Sequence, residues 1–360
     1  MTDNRSGTLI GVFKGMGDLL SAAPVIQAEL ERGKPVHVLL FPGATLTEFA
    51  GLIDLSPHQG NLHIHHIPMG MRLRQWKRFL GSMRSIDPEL VWVSSCAPAR
   101  DSSWKASLAL RMIQWFFWKR ARLVGAESER LSWLFHQRLP VNRSLPLQRR
   151  EWSAYRLFRG TGLPERPGNI RFVPGITALR KTSPKYDLVI HPGASALNRK
   201  WPSEKYGPLV SALPRDWKIA VLGLPSEISE VKPNMPSGRP ISYVSGTIRD
   251  SIETLASARM LLVMDSGHMH FAQVLGVPSI AIFGCTDPAR VIDLNGSVDA
   301  VYQQSFPCQP CMRKVCSQPQ IYCMMAVEPD QVAAKLKACW DQHKDPTIDE
   351  FVGSRSSERI

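Results

Sequence analysis

Three short segments of the 360-residue chain carry side chains that could do chemistry, and each follows an apolar run. In the first, Gly15-Met16-Gly17-Asp18 places a carboxylate just after the apolar residues 9–13. Glycines there let the backbone turn tightly and bring amide N–H groups close to a ligand. Asp18 can take a proton from a hydroxyl, or it can simply favour the positive end of the following helix. The second is His191-Pro192-Gly193-Ala194-Ser195, followed by Asn198-Arg199-Lys200-Trp201-Pro202. Gly193 exposes amides, Ser195 offers a hydroxyl, and Arg199 and Lys200 add cations; together these suit a diphosphate, the alternative being a basic surface loop. The third is Asp265-Ser266-Gly267-His268-Met269-His270. It runs from a buried strand into a helix start, where Ser266 and Gly267 amides would face an anion and Asp265 could orient a sugar hydroxyl. An ordinary helix cap with two incidental histidines is the competing reading.

The elements that must position these segments follow a strand, glycine turn, helix, strand grammar. Residues 9–13 read as a strand, 19–30 as an amphipathic helix ending at Gly33, and 36–41 as a second strand. Further strands are expected at 90–93 and 122–125. A Pro-, Arg- and Gly-rich stretch over 145–185 marks a junction near 160–184. A second unit then opens with strand 186–191 and continues with strands at 218–222, 260–264 and 279–283. Its helices are expected at 203–213, 248–257, 268–275 and 328–343. Domain bounds of 1–175 and 176–345 follow, with a polar tail at 346–360. The second strand ends Leu40-Phe41-Pro42 without the acidic residue of a dinucleotide fingerprint, which argues against nicotinamide.

With 44% hydrophobic and 21% charged residues, the chain is globular and not disordered. The formal charge of +13 is one-sided: residues 1–175 carry +11 and residues 176–360 carry +2. Such a field attracts polyanions, whether nucleic acid, anionic headgroups or a phosphorylated substrate. No nucleic-acid module accompanies it, so no nucleic-acid partner is expected. Arg72, Arg74, Lys77 and Arg78 are interleaved with Trp76 and Phe79, and Arg111, Lys119, Arg120 and Arg122 with Trp115–Trp118. Helices of that composition can lie in an anionic membrane interface, or present a core face and a solvated face. No run approaches the ~20 apolar residues of a membrane span, and the polar start suggests no secretory leader. Seven cysteines then read as cytoplasmic thiols before disulfides. Cys308, Cys311, Cys316 and Cys323 lie close enough in sequence for a structural metal shell, for free thiols or for pairing.

Gly17-Asp18 with Pro24, the His191–Ser195 segment, Lys200-Trp201-Pro202, Asp265-Ser266-Gly267 with His270, and Phe283-Gly284 with Thr286-Asp287-Pro288 occur in one order. In that order the chain resembles glycosyltransferase family 9, the ADP-heptose:lipopolysaccharide heptosyltransferases, over about residues 8–340. The resemblance implies an α/β GT-B fold: two Rossmann-like domains facing across a cleft, the first taking the acceptor and the second the nucleotide-sugar, with a C-terminal helix returning to the first. It implies inverting transfer without a catalytic metal, from ADP-heptose to a lipid A–Kdo acceptor at the cytoplasmic face of the inner membrane. Arg72, Arg74, Lys77, Arg78 and Arg120 would face that acceptor and membrane. Another donor, a protein acceptor or a sugar-nucleotide epimerase are the alternatives. By the same resemblance Asp18 matches the general base, and Ser195 the hydroxyl of the phosphate loop. Arg199 falls where many members carry a lysine, with Lys200 beside it. Glu227 falls at a ribose contact and Thr247 near the nucleoside pocket. Asp265, Ser266, Gly267 and His270 match the donor signature, while His268 stands where Pro or Leu is usual. Related cysteine clusters make a structural zinc or iron at Cys308–Cys323 an expectation.

Overall fold

The computed structural model divides the chain into two compact units, Met1–Ile170 and Arg171–Ile360. It describes residues 7–12, 15–40, 48–54, 59–68, 73–94, 111–126, 135–140, 145–160, 162–180, 183–292, 297–313 and 315–343.

The first unit holds strands β1 (Thr8–Val12), β2 (Val36–Leu40), β3 (Leu62–His66), β4 (Leu90–Val93), β5 (Arg122–Ala126) and β6 (Gln137–Leu139). All neighbours are parallel, in the order β3-β2-β1-β4-β5-β6. This is the doubly wound order, with a switch point between β1 and β4. Helices cover both faces of such a sheet, so its central strands read as unbroken apolar runs; β1, β2 and β4 are wholly buried. Helix α1 (Met16–Glu31) follows β1, and α2 (Leu73–Arg84) precedes β4. Helix α3 (Leu147–Arg159) is tied to α1 through Glu29, which is buried. The Glu29 carboxylate accepts from Thr8 Oγ1 at 2.5 Å, Tyr155 OH at 2.5 Å and Arg159 Nε at 2.8 Å. Removing one partner would leave an uncompensated buried charge, which is why such clusters hold elements together.

Strand β3 does not show in the sequence pattern because three of its five residues are histidines. His37 Nδ1 lies 3.0 Å from His65 Nε2, His65 Nδ1 lies 3.1 Å from Ser82 on α2, and His63 stacks on His37 at 4.9 Å. Burial, reinforced by the neighbouring imidazoles, lowers His37 and His65 to about 4. Both are therefore neutral in the fold at pH 7 and would charge more easily once unfolded. Their contribution to stability is complete above the unfolded value near 6.5 and is lost as pH falls from there towards 4. For His37 alone the loss is on the order of 3 kcal/mol. We expect thermal melts at pH 7 and pH 5 to show an acid-labile first unit, and His37→Phe to reduce that pH dependence.

The second unit repeats the design with β7 (Tyr186–His191), β8 (Ile219–Leu222), β9 (Ile241–Val244), β10 (Ala258–Met264), β11 (Ser279–Phe283) and β12 (Val298–Tyr302). The order β12-β11-β10-β7-β8-β9 is again parallel throughout and puts the switch point between β7 and β10. One face packs on α5 (Tyr206–Ala212) and the other on α7 (Ile248–Ala256) and α8 (Gly267–Leu275). The short helix α4 (Pro174–Leu179) precedes β7, and α6 (Pro225–Val231) lies between α5 and α7. Helix α9 (Pro329–Gln342) packs on α5 and β11 of its own unit. Helix α9 is the C-terminal helix that the sequence leads one to expect; the polar tail lies outside the described residues.

Candidate active site

At the first switch point, Asp18 occupies the third position of α1 and is half-buried. Its Oδ2 accepts the Gly15 amide at 2.9 Å. The carboxylate thus caps the helix from within, and that same bond fixes its direction at the carboxyl edge of the sheet.

The second switch point gathers most of the other expected residues. The segment after β7 and the turn after β10 lie side by side, because these two strands pair from Ala258↔Tyr186 to Val263↔His191. Asp265 is 5% exposed, and its Oδ2 lies 3.3 Å from Arg199 Nε. The geometry of that ion pair is not a hydrogen bond, so both atoms keep their bonding capacity. Lys200 turns elsewhere: its Nζ meets Glu230 at 2.8 Å. Of the two adjacent cations, Arg199 is the one aimed at the turn after β10. Arg and Lys are not interchangeable there, since only Arg presents a planar fork to phosphate oxygens.

Ser266 is extended, and α8 begins at Gly267, so the first amides of the helix are open to an anion. Its hydroxyl has no hydrogen-bond partner. His270 sits beside the Asp265–Arg199 pair, with Nδ1 3.1 Å from Gln273 Oε1; burial lowers its pKa. Ser195 is exposed on the loop after β7. Glu227 lies in the first turn of α6 and accepts the Leu224 amide at 2.9 Å. Its carboxylate fills the space a Cβ would need at Gly193, which is why that position must be glycine. Gly193→Ala should therefore push Glu227 out of place. Nucleotide affinity should fall about tenfold in calorimetry, with the fold kept, since the displaced group is the flexible end of a side chain.

Thr247 does something local. It is exposed, caps α7 by accepting the Asp250 amide at 3.2 Å, and donates its own amide N–H to Asp250 Oδ2 at 2.8 Å. Those bonds hold the Asp250 carboxyl below its usual range. Trp201, in the middle of a predicted motif, is core: it is 3% exposed and donates Nε1–H to the Val327 carbonyl at 3.0 Å.

The cysteines require a correction. Among the described residues no group of three or more His, Cys, Asp or Glu side chains is arranged to hold a metal ion. Cys308 is exposed, and Cys316 points its thiol at the Gln320 carbonyl, 3.6 Å away. Cys323 is buried, which raises its pKa to about 11, with Cys285, Cys316 and Cys311 as its thiol neighbours. A four-ligand shell of Cys308, Cys311, Cys316 and Cys323 does not fit these positions. All six described cysteines are free.

In the first unit, α2 buries Phe79 and Met83 and leaves Arg74, Lys77 and Arg78 exposed. Arg120 is exposed beyond the helix over residues 111–117, and Arg72 lies outside the described residues. Leu73 at 71%, Trp115 at 63% and Phe116 at 61% exposure place large apolar groups at the surface beside these cations. No described helix is long and apolar enough to cross a membrane.

A family model described as glycosyltransferase family 9 (heptosyltransferase) matches residues 126–322, more than half of the chain. The chain belongs to glycosyltransferase family 9. It is 26% identical over 168 residues to lipopolysaccharide heptosyltransferase 1 of Pseudomonas aeruginosa, a match covering 42% of this chain and 47% of that protein. The match thus spans about half of that relative's length. The fold is that of ADP-heptose lps heptosyltransferase II of E. coli, with a TM-score of 0.67 at 13% identity, covering 94% of this chain and 100% of that one. The E. coli heptosyltransferase WaaC with ADP gives 0.65 at 14% identity, covering 94% and 97%. Two parallel six-stranded sheets flanked by helices are thus the glycosyltransferase GT-B architecture seen in family 9 enzymes.

Proposed function

We propose that this chain transfers a heptose from ADP-heptose to the inner core of lipopolysaccharide, inverting the anomeric centre. The observation that carries the reading is the cradle at the β7–β10 switch point. There a fork-bearing cation, a buried carboxylate and an open helix N-terminus lie together. It is supported by the family itself and by the fold shared with an E. coli enzyme solved with ADP.

In the mechanism Asp18 accepts the proton of the acceptor hydroxyl as that oxygen attacks the anomeric carbon. The new C–O bond forms while the bond to the β-phosphate oxygen breaks, and the electron pair leaves with the nucleoside diphosphate. Arg199, the Ser195 hydroxyl and the amides at Ser266–Gly267 stabilise the charge gained by the leaving group, usually the largest share of such catalysis. Asp265 and His270 orient the sugar, and Glu227 holds the ribose. Lys200, paired with Glu230, supports the loop more than the phosphate. Thr247 serves the nucleoside side only through the position of α7. No step requires a metal or cofactor.

The acceptor we assign is an anionic glycolipid at the membrane surface. Arg74, Lys77, Arg78 and Arg120 face its phosphates, Arg72 extends the same run, and exposed Trp115 and Phe116 suit its acyl region. The cytoplasmic, peripheral placement rests on this surface. Purified protein should bind ADP in calorimetry at least tenfold more tightly than UDP or GDP, and should float with anionic vesicles at low salt but not at high salt. Equal affinity for all three nucleotides would remove ADP-heptose as the donor. Flotation indifferent to salt and lipid charge would remove the membrane surface. An epimerase would turn over donor without any acceptor.

A further inference from the structure

Two imidazoles of the second unit are not used by the mechanism above. His191 ends β7, and His268 is the second residue of α8. Their rings stack with centroids 3.7 Å apart and planes 24° from parallel. His191 is 4% exposed and its Nδ1 has no hydrogen-bond partner; the Nε2 of His268 is likewise buried and unpartnered. Buried polar atoms in a native fold are normally satisfied, so two orphaned ring nitrogens beside an open helix N-terminus point to a ligand that supplies the missing partner.

The groups that face the pair are few. Phe271, from the same helix, lies 5.2 Å from the His268 ring. His270 faces the Asp265–Arg199 pair instead, and the opposite charges of that pair offset each other. Cys285, from the turn after β11, lies beside Thr286 and Arg199. Burial alone holds His268 at about 4, and burial together with His268 keeps His191 well below its usual range. With no ligand both rings are therefore neutral at pH 7, and two imidazolium ions at this spacing would repel each other.

We infer that His268, stacked on His191, forms a proton-linked anion contact of the donor site: a bound diphosphate draws one proton from solvent onto the His268 ring, and the imidazolium so formed donates to a phosphate oxygen. This rests on the donor reading given above. The second, still neutral ring stacks on the cation and spreads its charge, so the pair accepts one proton and not two. A family 9 chain with an apolar residue in place of His268 would bind the same diphosphate without proton uptake.

The test is calorimetry of ADP with the full chain at pH 6, in two buffers of different ionisation enthalpy. The proton released or taken up by ADP itself is measured separately and subtracted. Wild type should take up about half a proton or more on binding. His268→Gln keeps a donating N–H but cannot titrate; it should still bind ADP, several-fold more weakly at pH 6, with the linked proton reduced to near zero. His268→Leu should lose the proton and about tenfold in affinity. Circular dichroism verifies the fold of each variant, and the Gln variant carries the test if the Leu variant fails to fold. ADP binding by wild type without proton uptake, or uptake that persists in His268→Gln, would overturn the inference and leave the donor reading intact. No ADP binding by wild type at all would overturn the donor reading itself.

Discussion

Replacing Asp18 by Asn is expected to lower heptosyl transfer by about 100-fold or more, while donor binding stays within a few-fold. The substitution is informative because of what it preserves. The carboxylate accepts the Gly15 amide at 2.9 Å, and an Asn side-chain oxygen can accept the same bond. The first turn of α1 therefore keeps an acceptor for that bond, while the negative charge and with it the ability to take a proton are removed. Asp18→Ala would confound the two roles, since losing a helix-start acceptor costs about 1 kcal/mol in its own right. Initial rates of transfer, read beside donor affinity by calorimetry, separate them. Transfer by the Asn variant at the wild-type rate would leave Asp18 as a capping residue and nothing more.

The second large effect belongs to Arg199. Arg199→Ala should reduce turnover by about 100- to 1000-fold, the range typical of a lost contact to charge that develops in the transition state. It also leaves Asp265 buried at 5% exposure with its ion-pair partner gone. Lys200→Ala should cost less than about tenfold, because its ammonium is engaged by a half-exposed Glu230 and an exposed pair of this kind is worth little. Arg199→Lys should fall between, restoring the charge without the fork. Steady-state kinetics on the three variants rank the two cations. Equal losses for Arg199→Ala and Lys200→Ala would mean that the ion pairs rearrange around the ligand and that neither cation has a fixed role.

These two predictions differ in how far sequence alone carries them. Asp18 and the Asp265–His270 segment are legible because each closes an apolar strand and opens a helix, a pattern set by local chemistry. The central strands β1, β4, β7 and β11 are legible for the same reason, being runs buried on both faces. Edge strands are not. β3 carries three histidines, and β9 is half exposed, so neither shows the apolar run of a buried parallel strand. Pairings across the fold are also hidden. Nothing in Arg199-Lys200 says that the first cation meets Asp265 and the second Glu230, since both partners come from other elements. The stacking of His191 on His268 arises from the register of β7 beside β10, over a separation of 77 residues. Spacing in sequence also leaves out thiols from elsewhere: Cys285, from the turn after β11, is among the thiols that raise Cys323. Thr247 caps α7 through Asp250, three residues on, a bond that the local spacing makes legible without any long-range pairing.

The most direct measurement is ADP release by the purified full chain given ADP-heptose, with and without a lipid A–Kdo acceptor. We predict release that depends on the acceptor, accompanied by a glycolipid one heptose heavier and of inverted anomeric configuration. Consumption of ADP-heptose at the same rate without acceptor, or no turnover with both substrates present, would contradict the account.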